Sequence, residues 1–144
     1  MSTGNILSGG AAQTIESIAS ADPAAGSNVS MVVPAGEQWL LESLHVSLVT
    51  DATVANRRMV LTVDNGVNIV AKVSAGFVQA ASLTHDYTFA QGVLDYSAIR
   101  DNHGLISLPS GLLVPSGYRV RTAVVNLQAG DNLGVAYLLA QVRR

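Results

Sequence analysis

From residue 27 onward, the sequence is a series of short runs rich in Val, Leu, Thr and Tyr, separated by Gly, Pro, Asn and Asp. Such runs are typical of strands that alternate with turns. We count about eight candidate strands by this criterion, at residues 29–33, 39–50, 57–63, 67–73, 82–90, 105–108, 118–127 and 133–142. In the second run, Leu40, Leu44, Val46 and Leu48 share one face, as expected of a strand buried on one side. The pattern predicts an all-β fold.

Two kinds of turn organise these strands. Asn65-Gly66 separates two runs and is typical of a tight hairpin, because glycine readily adopts positive φ. Val33-Pro34-Ala35-Gly36 and Val114-Pro115-Ser116-Gly117 each precede a long run, and a proline followed by a glycine favours a turn. Two such halves fit a double Greek key, although Pro-x-Gly is also a common turn without wider meaning. We predict a jelly-roll-like antiparallel β-sandwich over residues 27–144.

Residues 1–26 differ in composition and consist mostly of Ser, Ala, Gly, Thr and Asn. Their few large apolar residues, among them Ile15 and Ile18, follow neither helical nor strand periodicity over any length. Residues 14–20 have the spacing for one or two helical turns, which Asp22-Pro23 would end, but so short a helix is marginal in water. We interpret residues 1–26 as an extended N-terminal arm, which is either a flexible tail or a segment that docks on a partner.

Composition narrows the classes of function. Only 12% of the residues are charged, against about 25% in an ordinary soluble domain. The absence of cysteine excludes a disulfide framework, a thiolate nucleophile and a Cys-based metal site. A formal net charge of −2 with dispersed basic residues argues against nucleic-acid binding. No signal peptide or long apolar run is found, so we expect neither secretion nor membrane insertion.

Residues able to support catalysis are few. His45, His85 and His103 lack the spacing that places two histidines on one face of a single element. His85-Asp86 are neighbours in a predicted strand, so their side chains should point to opposite faces. Asp101-Asn102-His103-Gly104 is better explained as a turn than as a catalytic pair. We therefore expect no enzyme, no cofactor and no metal site.

Several residues have interpretations as contacts with other molecules. Arg119 and Arg121 lie on one face of a predicted strand and could pair with a partner protein, although a solvated sheet face is the simpler explanation. Trp39 or Tyr96 could stack on a sugar, although core packing explains most aromatic residues. The scarcity of charge predicts that much of the surface is covered, as in an oligomer or a larger assembly.

Three segments carry a resemblance to a known family: residues 33–39 (VPAGEQW), 48–58 (LVTDATVANRR) and 112–118 (LLVPSGY). They resemble small tailed-bacteriophage virion proteins, and among these the capsid cement (decoration) proteins with a jelly-roll fold. The likeness spans residues 30–142, and its motifs are patterns of turns and strands, not catalytic signatures.

The resemblance implies a structural virion protein, made in the host cytoplasm and bound to the outer surface of the capsid. It implies a homo-oligomer, a dimer or trimer, that clamps neighbouring major capsid subunits without cofactor, nucleic acid or membrane. The resemblance matches no interface motif residue by residue. From the composition of the arm and the predicted strand face, we expect the contacts to the capsid or to other subunits to include Ile6, Leu7, Ile15 and Ile18 together with Arg119 and Arg121. The alternative is a carbohydrate- or receptor-binding β-sandwich module of a phage tail or head fibre.

Overall fold

The computed structural model describes residues 13–144, which contain eleven strands and no helix. The strands are β1 (Gln13–Ala19), β2 (Ser30–Val32), β3 (Gln38–Val49), β4 (Val60–Asp64), β5 (Ile69–Ser74), β6 (Thr84–Ala90), β7 (His103–Ser107), β8 (Leu113–Val114), β9 (Arg119–Thr122), β10 (Asn132–Leu133) and β11 (Tyr137–Arg143). Because no helix occurs in this range, none is long and apolar enough to cross a membrane.

The strands form two sheets that pack together as a sandwich. The larger sheet has seven strands in the order β1-β11-β3-β6-β7, with β8 and β10 paired to the two ends of β3. The smaller sheet has the order β2-β9-β4-β5. Apolar side chains from both sheets, such as Leu44 and Phe89 from one and Leu61 and Val120 from the other, form a single buried core. The predicted all-β sandwich is confirmed, with eleven short strands in place of about eight.

A β-bulge in β3 decides which of its side chains reach the core. Ser43 pairs with Leu139 and Leu41 pairs with Ala140, so Glu42 is an extra residue without a partner on β11. A single extra residue reverses the alternation of faces along a strand. Leu44 and the later even-numbered residues are buried as predicted, whereas Leu40, predicted on the same face, is only half-buried between buried neighbours.

The N-terminal strand β1 changes the interpretation of the predicted arm. Residues 13–19 pair with all seven residues of β11 and extend the larger sheet. The helical turns considered for residues 14–20 are therefore not formed. Ile18 is partly buried against the core, which together with the pairing to β11 explains why this short segment is a strand. Residues 1–12 of the predicted arm lie outside the described range.

One strand pair departs from the predicted antiparallel arrangement. Strands β6 and β7 are parallel, with Asp86 aligned to His103 and Ala90 aligned to Ser107. Parallel neighbours need a crossover of about a dozen residues or more, and residues 91–102 supply it. This crossover contains no helix, so the sequence has no helical periodicity there that would have predicted a parallel pair.

The two Val-Pro-x-Gly turns lie side by side. In each, the amide of the residue after the glycine donates to the proline carbonyl at 3.2 Å, and the glycines Gly36 and Gly117 have φ of 81° and 83°. The Ser116 hydroxyl donates to the Pro34 carbonyl at 3.0 Å. The repeat therefore marks two equivalent turns that begin β3 and β9 at the same end of the sandwich. The Asn65-Gly66 hairpin between β4 and β5 is also confirmed, with Gly66 at φ 93°.

Candidate functional site

An apolar strip lies on the outer face of the larger sheet, on the edge strand β1 and its neighbour β11. Ser17 of β1 is aligned with Leu139 of β11, and Ala19 with Tyr137, so these side chains share one face with Ile15. The exposed fractions are 58% for Ile15, 55% for Tyr137 and 40% for Leu139. Large apolar side chains grouped on a surface mark contact sites for other molecules more often than isolated ones do. We call Ile15, Tyr137 and Leu139 the apolar strip.

The apolar strip borders an unpaired strand edge. The amide of Ser20 donates to the carbonyl of Ala136 at 2.9 Å, in register with the β1–β11 pairing. Hydrogen-bonded positions alternate in antiparallel pairs, so the even-numbered residues of β1 bond to β11. The amide and carbonyl groups of residues 13, 15, 17 and 19 point the other way, where no strand of residues 13–144 pairs with them. We call these groups the free edge of β1.

The opposite edge of the larger sheet is covered. The crossover between β6 and β7 runs along β7, where the amide of Tyr96 donates to the carbonyl of Leu105 at 2.9 Å. The amide of Ser107 donates to the Asp95 carboxylate at 2.6 Å. Arg100 and His103 exchange two backbone hydrogen bonds of 2.8 Å each. Four outward-facing groups of β7, the amide and carbonyl of His103, the carbonyl of Leu105 and the amide of Ser107, are thus bonded within the chain, in contrast to the free edge of β1.

Two of the three histidines meet on the outer face of the larger sheet. The Thr88 hydroxyl lies 2.9 Å from Nδ1 of His45 and 2.9 Å from Nε2 of His103. A hydroxyl has one proton, so at least one ring nitrogen donates to Thr88. Within residues 13–144, no three His, Cys, Asp or Glu side chains are grouped closely enough to hold a metal ion. The arrangement is a hydrogen-bonded surface cluster that the spacing of the histidines in the sequence did not reveal.

The other residues considered for catalysis or sugar binding are dispersed. His85 is buried and Asp86 is exposed, on opposite faces of β6 as predicted. Burial lowers the pKa of His85. Asp101 and Asn102 both have positive φ, of 49° and 62°, and form a turn, whereas His103 and Gly104, predicted to belong to the same turn, begin β7.

The aromatic residues considered for sugar stacking have limited free surface. Trp39 is only 3% exposed, so its ring belongs to the core. The guanidinium of Arg100 lies 4.6 Å from the centre of the Tyr96 ring and covers one of its faces. The ring of His103 lies nearly perpendicular to the Tyr96 ring, with the ring centres 6.0 Å apart. A sugar would therefore have at most one face of Tyr96 on which to stack.

A basic pair lies on the outer face of the smaller sheet. Arg119 and Arg121 contact the same carboxylate, with Nε of each 2.8 and 2.9 Å from the two oxygens of Asp64. Burial alone would raise the pKa of Asp64, but the hydrogen bonds from Arg119 and Gly66 and the charges of both arginines lower it. Both arginine side chains remain 36% exposed. The pair carries one positive charge more than Asp64 neutralises.

The predicted contact residues therefore fall on different parts of the molecule. Ile15 belongs to the exposed apolar strip, whereas Ile18 points inward and packs against the core. Arg119 and Arg121 lie on the opposite side of the sandwich from Ile15, since the two sheets present opposite outer faces. Ile6 and Leu7 lie outside the described residues. Tyr137 and Leu139, which the sequence analysis did not single out, complete the apolar strip.

The largest buried polar cluster of the described chain surrounds Arg57, whose side chain is fully buried. Nε and Nη2 donate to Asp131 at 2.9 Å each, Nη2 also donates to Asp51 at 2.7 Å, and Nη1 donates to the carbonyls of Thr53 and Ala55 at 2.9 and 2.7 Å. All five N–H groups of the guanidinium thus have acceptors. We call Arg57, Asp51 and Asp131 the Arg57 network.

The hydrogen bonds of the Arg57 network indicate a structural role. The hydrogen bond to Asp131 is the main cause that raises the pKa of Arg57, and the network joins the loops that follow β3 and precede β10. Asp131 also accepts from the amides of Asp51 and Gln128 at 2.9 and 2.8 Å. Each N–H group of the guanidinium and each carboxylate oxygen of Asp51 and Asp131 thus has at least one partner within the chain.

The comparisons with known proteins leave the family open. No protein-family model matches the chain, and a search of curated proteins finds no significant match.

Proposed function

We propose that this chain is a structural virion protein that binds the outer surface of a bacteriophage capsid as an oligomer. In this role it clamps neighbouring major capsid subunits and stabilises the shell. It is made in the host cytoplasm, needs no cofactor and catalyses no reaction. The proposal rests on the resemblance of residues 30–142 to capsid cement proteins and on the surfaces described above.

The observation that carries the proposal is the apolar strip beside the free edge of β1. Three large apolar side chains, 40% to 58% exposed, lie beside the backbone amide and carbonyl groups of the free edge, which can pair with another strand. A chain with 12% charged residues has few charged side chains to keep such an apolar surface soluble without a partner. Contact with another protein would cover the apolar strip, and another strand would pair with the free edge.

The position of the basic pair supports a clamp in particular. Arg119 and Arg121 lie on the opposite side of the sandwich from the apolar strip, so the molecule has two separate surfaces with different chemistry. A clamp needs two such surfaces, one for each neighbour that it joins. Each contact can be weak, because repetition over a symmetric shell multiplies the stabilisation through avidity.

Co-sedimentation with shells purified from particles that lack this protein tests the proposal. We expect the intact chain to pellet with the shells and a Tyr137→Ser, Leu139→Ser variant to bind at least tenfold more weakly. Val67→Ser is the matched control, because Val67 is 88% exposed at the tip of the β4–β5 hairpin and outside both surfaces. Deletion of the N-terminal segment should end at residue 12, since a deletion to residue 26 also removes β1. Failure of the intact chain to pellet with any shell would contradict the proposal.

The alternative, a sugar- or receptor-binding module of a phage fibre, has less support. Trp39 is buried in the core, which leaves Tyr96 as the aromatic residue proposed for sugar stacking. A glycan array with the intact chain and a Tyr96→Ala variant separates the two functions. Binding that depends on Tyr96 would favour the fibre module over the capsid clamp.

A further inference from the structure

The edges of the two sheets differ in how they are protected against pairing with another chain. Natural sheets protect their edges with short strands, lysines, bulges or a covering segment. Edge strand β2 has only three residues. Edge strand β5 carries Lys72 and an irregularity where Asp64 pairs with Ile69. Edge strand β7 is covered by the crossover.

Strand β1 is longer than β2 and, among the described residues, has no lysine, bulge or covering segment, so the charge of Glu16 is the one protection that it carries. It has seven residues, Gln-Thr-Ile-Glu-Ser-Ile-Ala, without lysine or proline. Its one ionised side chain, Glu16, is paired with Arg144 of the same chain at 2.7 Å. The free edge of β1 is therefore long, regular and locally neutral. Such an edge can pair with another strand that is also long, regular and locally neutral, and β1 of a second copy is such a strand.

We propose that β1 pairs antiparallel with β1 of a second copy across a two-fold axis, so that the two larger sheets become one continuous sheet. This inference deepens the proposed function, because it names the contact by which the chain forms its oligomer. The free edge fits this pairing, since the amide and carbonyl groups of residues 13, 15, 17 and 19 all point toward the partner. A two-fold axis is the commonest symmetry of homo-oligomers.

The positions of Ile15 and Glu16 together favour one register. Hydrogen-bonded pairs must join odd-numbered residues, and several registers satisfy this condition. Pairing Ile15 with Ser17 of the partner subunit would place Glu16 directly opposite Glu16 of the partner subunit, which is unfavourable. Pairing Ile15 with Ile15 of the partner subunit places Glu16 opposite Thr14 of the partner subunit instead. This register also brings two exposed isoleucines together and joins the two apolar strips.

Disulfide cross-linking tests this register directly, because the chain has no cysteine of its own. Residues in a hydrogen-bonded antiparallel pair have Cα atoms about 5.5 Å apart, within the range of about 4.4–6.8 Å that a disulfide spans. Ile15→Cys should therefore form a covalent dimer under mild oxidation. Ser17→Cys is the matched control, because its two copies would be offset by about 13 Å along the strands at about 3.3 Å per residue. Efficient cross-linking of Ser17→Cys without cross-linking of Ile15→Cys would overturn the proposal.

Sedimentation velocity over a range of concentrations provides the second test. We expect the intact chain to dimerise and Ser17→Pro to raise the dissociation constant at least tenfold, since proline removes an amide from the free edge. Ser17→Ala keeps this amide and should dimerise like the intact chain. Ile15→Lys, which places two like charges opposite each other, should weaken the dimer without the backbone change of proline. A dimer that persists in both weakened variants, or an intact chain that stays monomeric at every concentration, overturns the proposal.

A chain from which residues 1–12 are deleted distinguishes a second copy from the other candidate for this edge. If the intact chain is monomeric and the deletion variant dimerises, residues 1–12 occupy the edge and the proposal is wrong. If the intact chain and the deletion variant both dimerise, and Ile15→Cys cross-links both of them, the proposal is supported. These experiments use the protein alone, so a dimer that fails to bind shells would contradict the capsid function and leave the β1 contact intact.

Discussion

The Arg57 network and the free edge of β1 satisfy their polar groups in opposite ways. All five N–H groups of Arg57 have acceptors between residues 51 and 131 of the same chain. The amide and carbonyl groups of residues 13, 15, 17 and 19 have no partner strand in residues 13–144. The first region is complete in one molecule, whereas the second retains the capacity to bind another. The difference separates residues that maintain the fold from residues available for assembly.

The largest expected effect comes from breaking the Arg57 network. Asp131→Ala leaves the buried guanidinium with Asp51 as its one carboxylate partner, and Asp51 is 25% exposed. We expect a loss of about 3 kcal/mol in the free energy of unfolding, as is found when one member of a buried ion pair is removed. Urea denaturation measures this loss. Asp22→Ala, at an exposed position, is the matched control and should change stability by less than about 0.5 kcal/mol.

A double variant shows whether the loss comes from the uncompensated charge. Arg57→Met combined with Asp131→Ala removes both buried charges. Replacing both members of a buried ion pair often lowers the free energy of unfolding less than removing one of them. We expect the double variant to be more stable than Asp131→Ala alone. If Asp131→Ala were as stable as Asp22→Ala, the network would not contribute to the fold as described.

The sequence predicted the sandwich because its central strands alternate apolar and polar residues. It did not predict β1, since Ile15 and Ile18 are three residues apart and so point to opposite faces of a strand. One of them packs on the core and the other belongs to the apolar strip. Period-two analysis finds strands with one buried face, and an edge strand with large apolar residues on both faces gives no such signal.

The residues of the two regions differ likewise in how far the sequence reveals them. Asp131 is 74 positions from Arg57, and nothing in local patterning connects a turn aspartate with a distant arginine. The predicted contact residues Ile15, Arg119 and Arg121 are all at least partly exposed, but only the topology shows that they lie on opposite sides of the sandwich. Distant pairing thus decides which residues act together, and single-sequence patterns do not contain it.

Proline substitutions in β1 test the second region at neighbouring positions. The amide of Ile18 faces β11, so Ile18→Pro removes a hydrogen bond inside the sheet and a side chain packed on the core. We expect it to lower the free energy of unfolding by about 3 kcal/mol. The amide of Ser17 belongs to the free edge, so Ser17→Pro should lower it by less than about 1 kcal/mol in dilute protein. Thermal unfolding of both variants at low concentration measures the difference. Equal losses would mean that the direction of the β1 amides is assigned wrongly.

The smallest expected effect concerns Glu16, whose ion pair with Arg144 is exposed and therefore weak compared with the buried Arg57 network. Hydrogen bonds from Arg144 and then from Thr14 lower the pKa of Glu16 from its ordinary value of 4.5 to about 2. Because the pKa of Glu16 is lowered, the ion pair with Arg144 stabilises the pairing of β1 with β11 above pH 4.5. This contribution is lost as the pH falls toward 2. An NMR titration of the Glu16 carboxyl carbon should give the lowered pKa, and Arg144→Gln should return it toward 4.5. A pKa near 4.5 in the unsubstituted chain would show that Glu16 is not neutralised within its own subunit, and the free edge of β1 would then carry a negative charge that opposes pairing with a second copy.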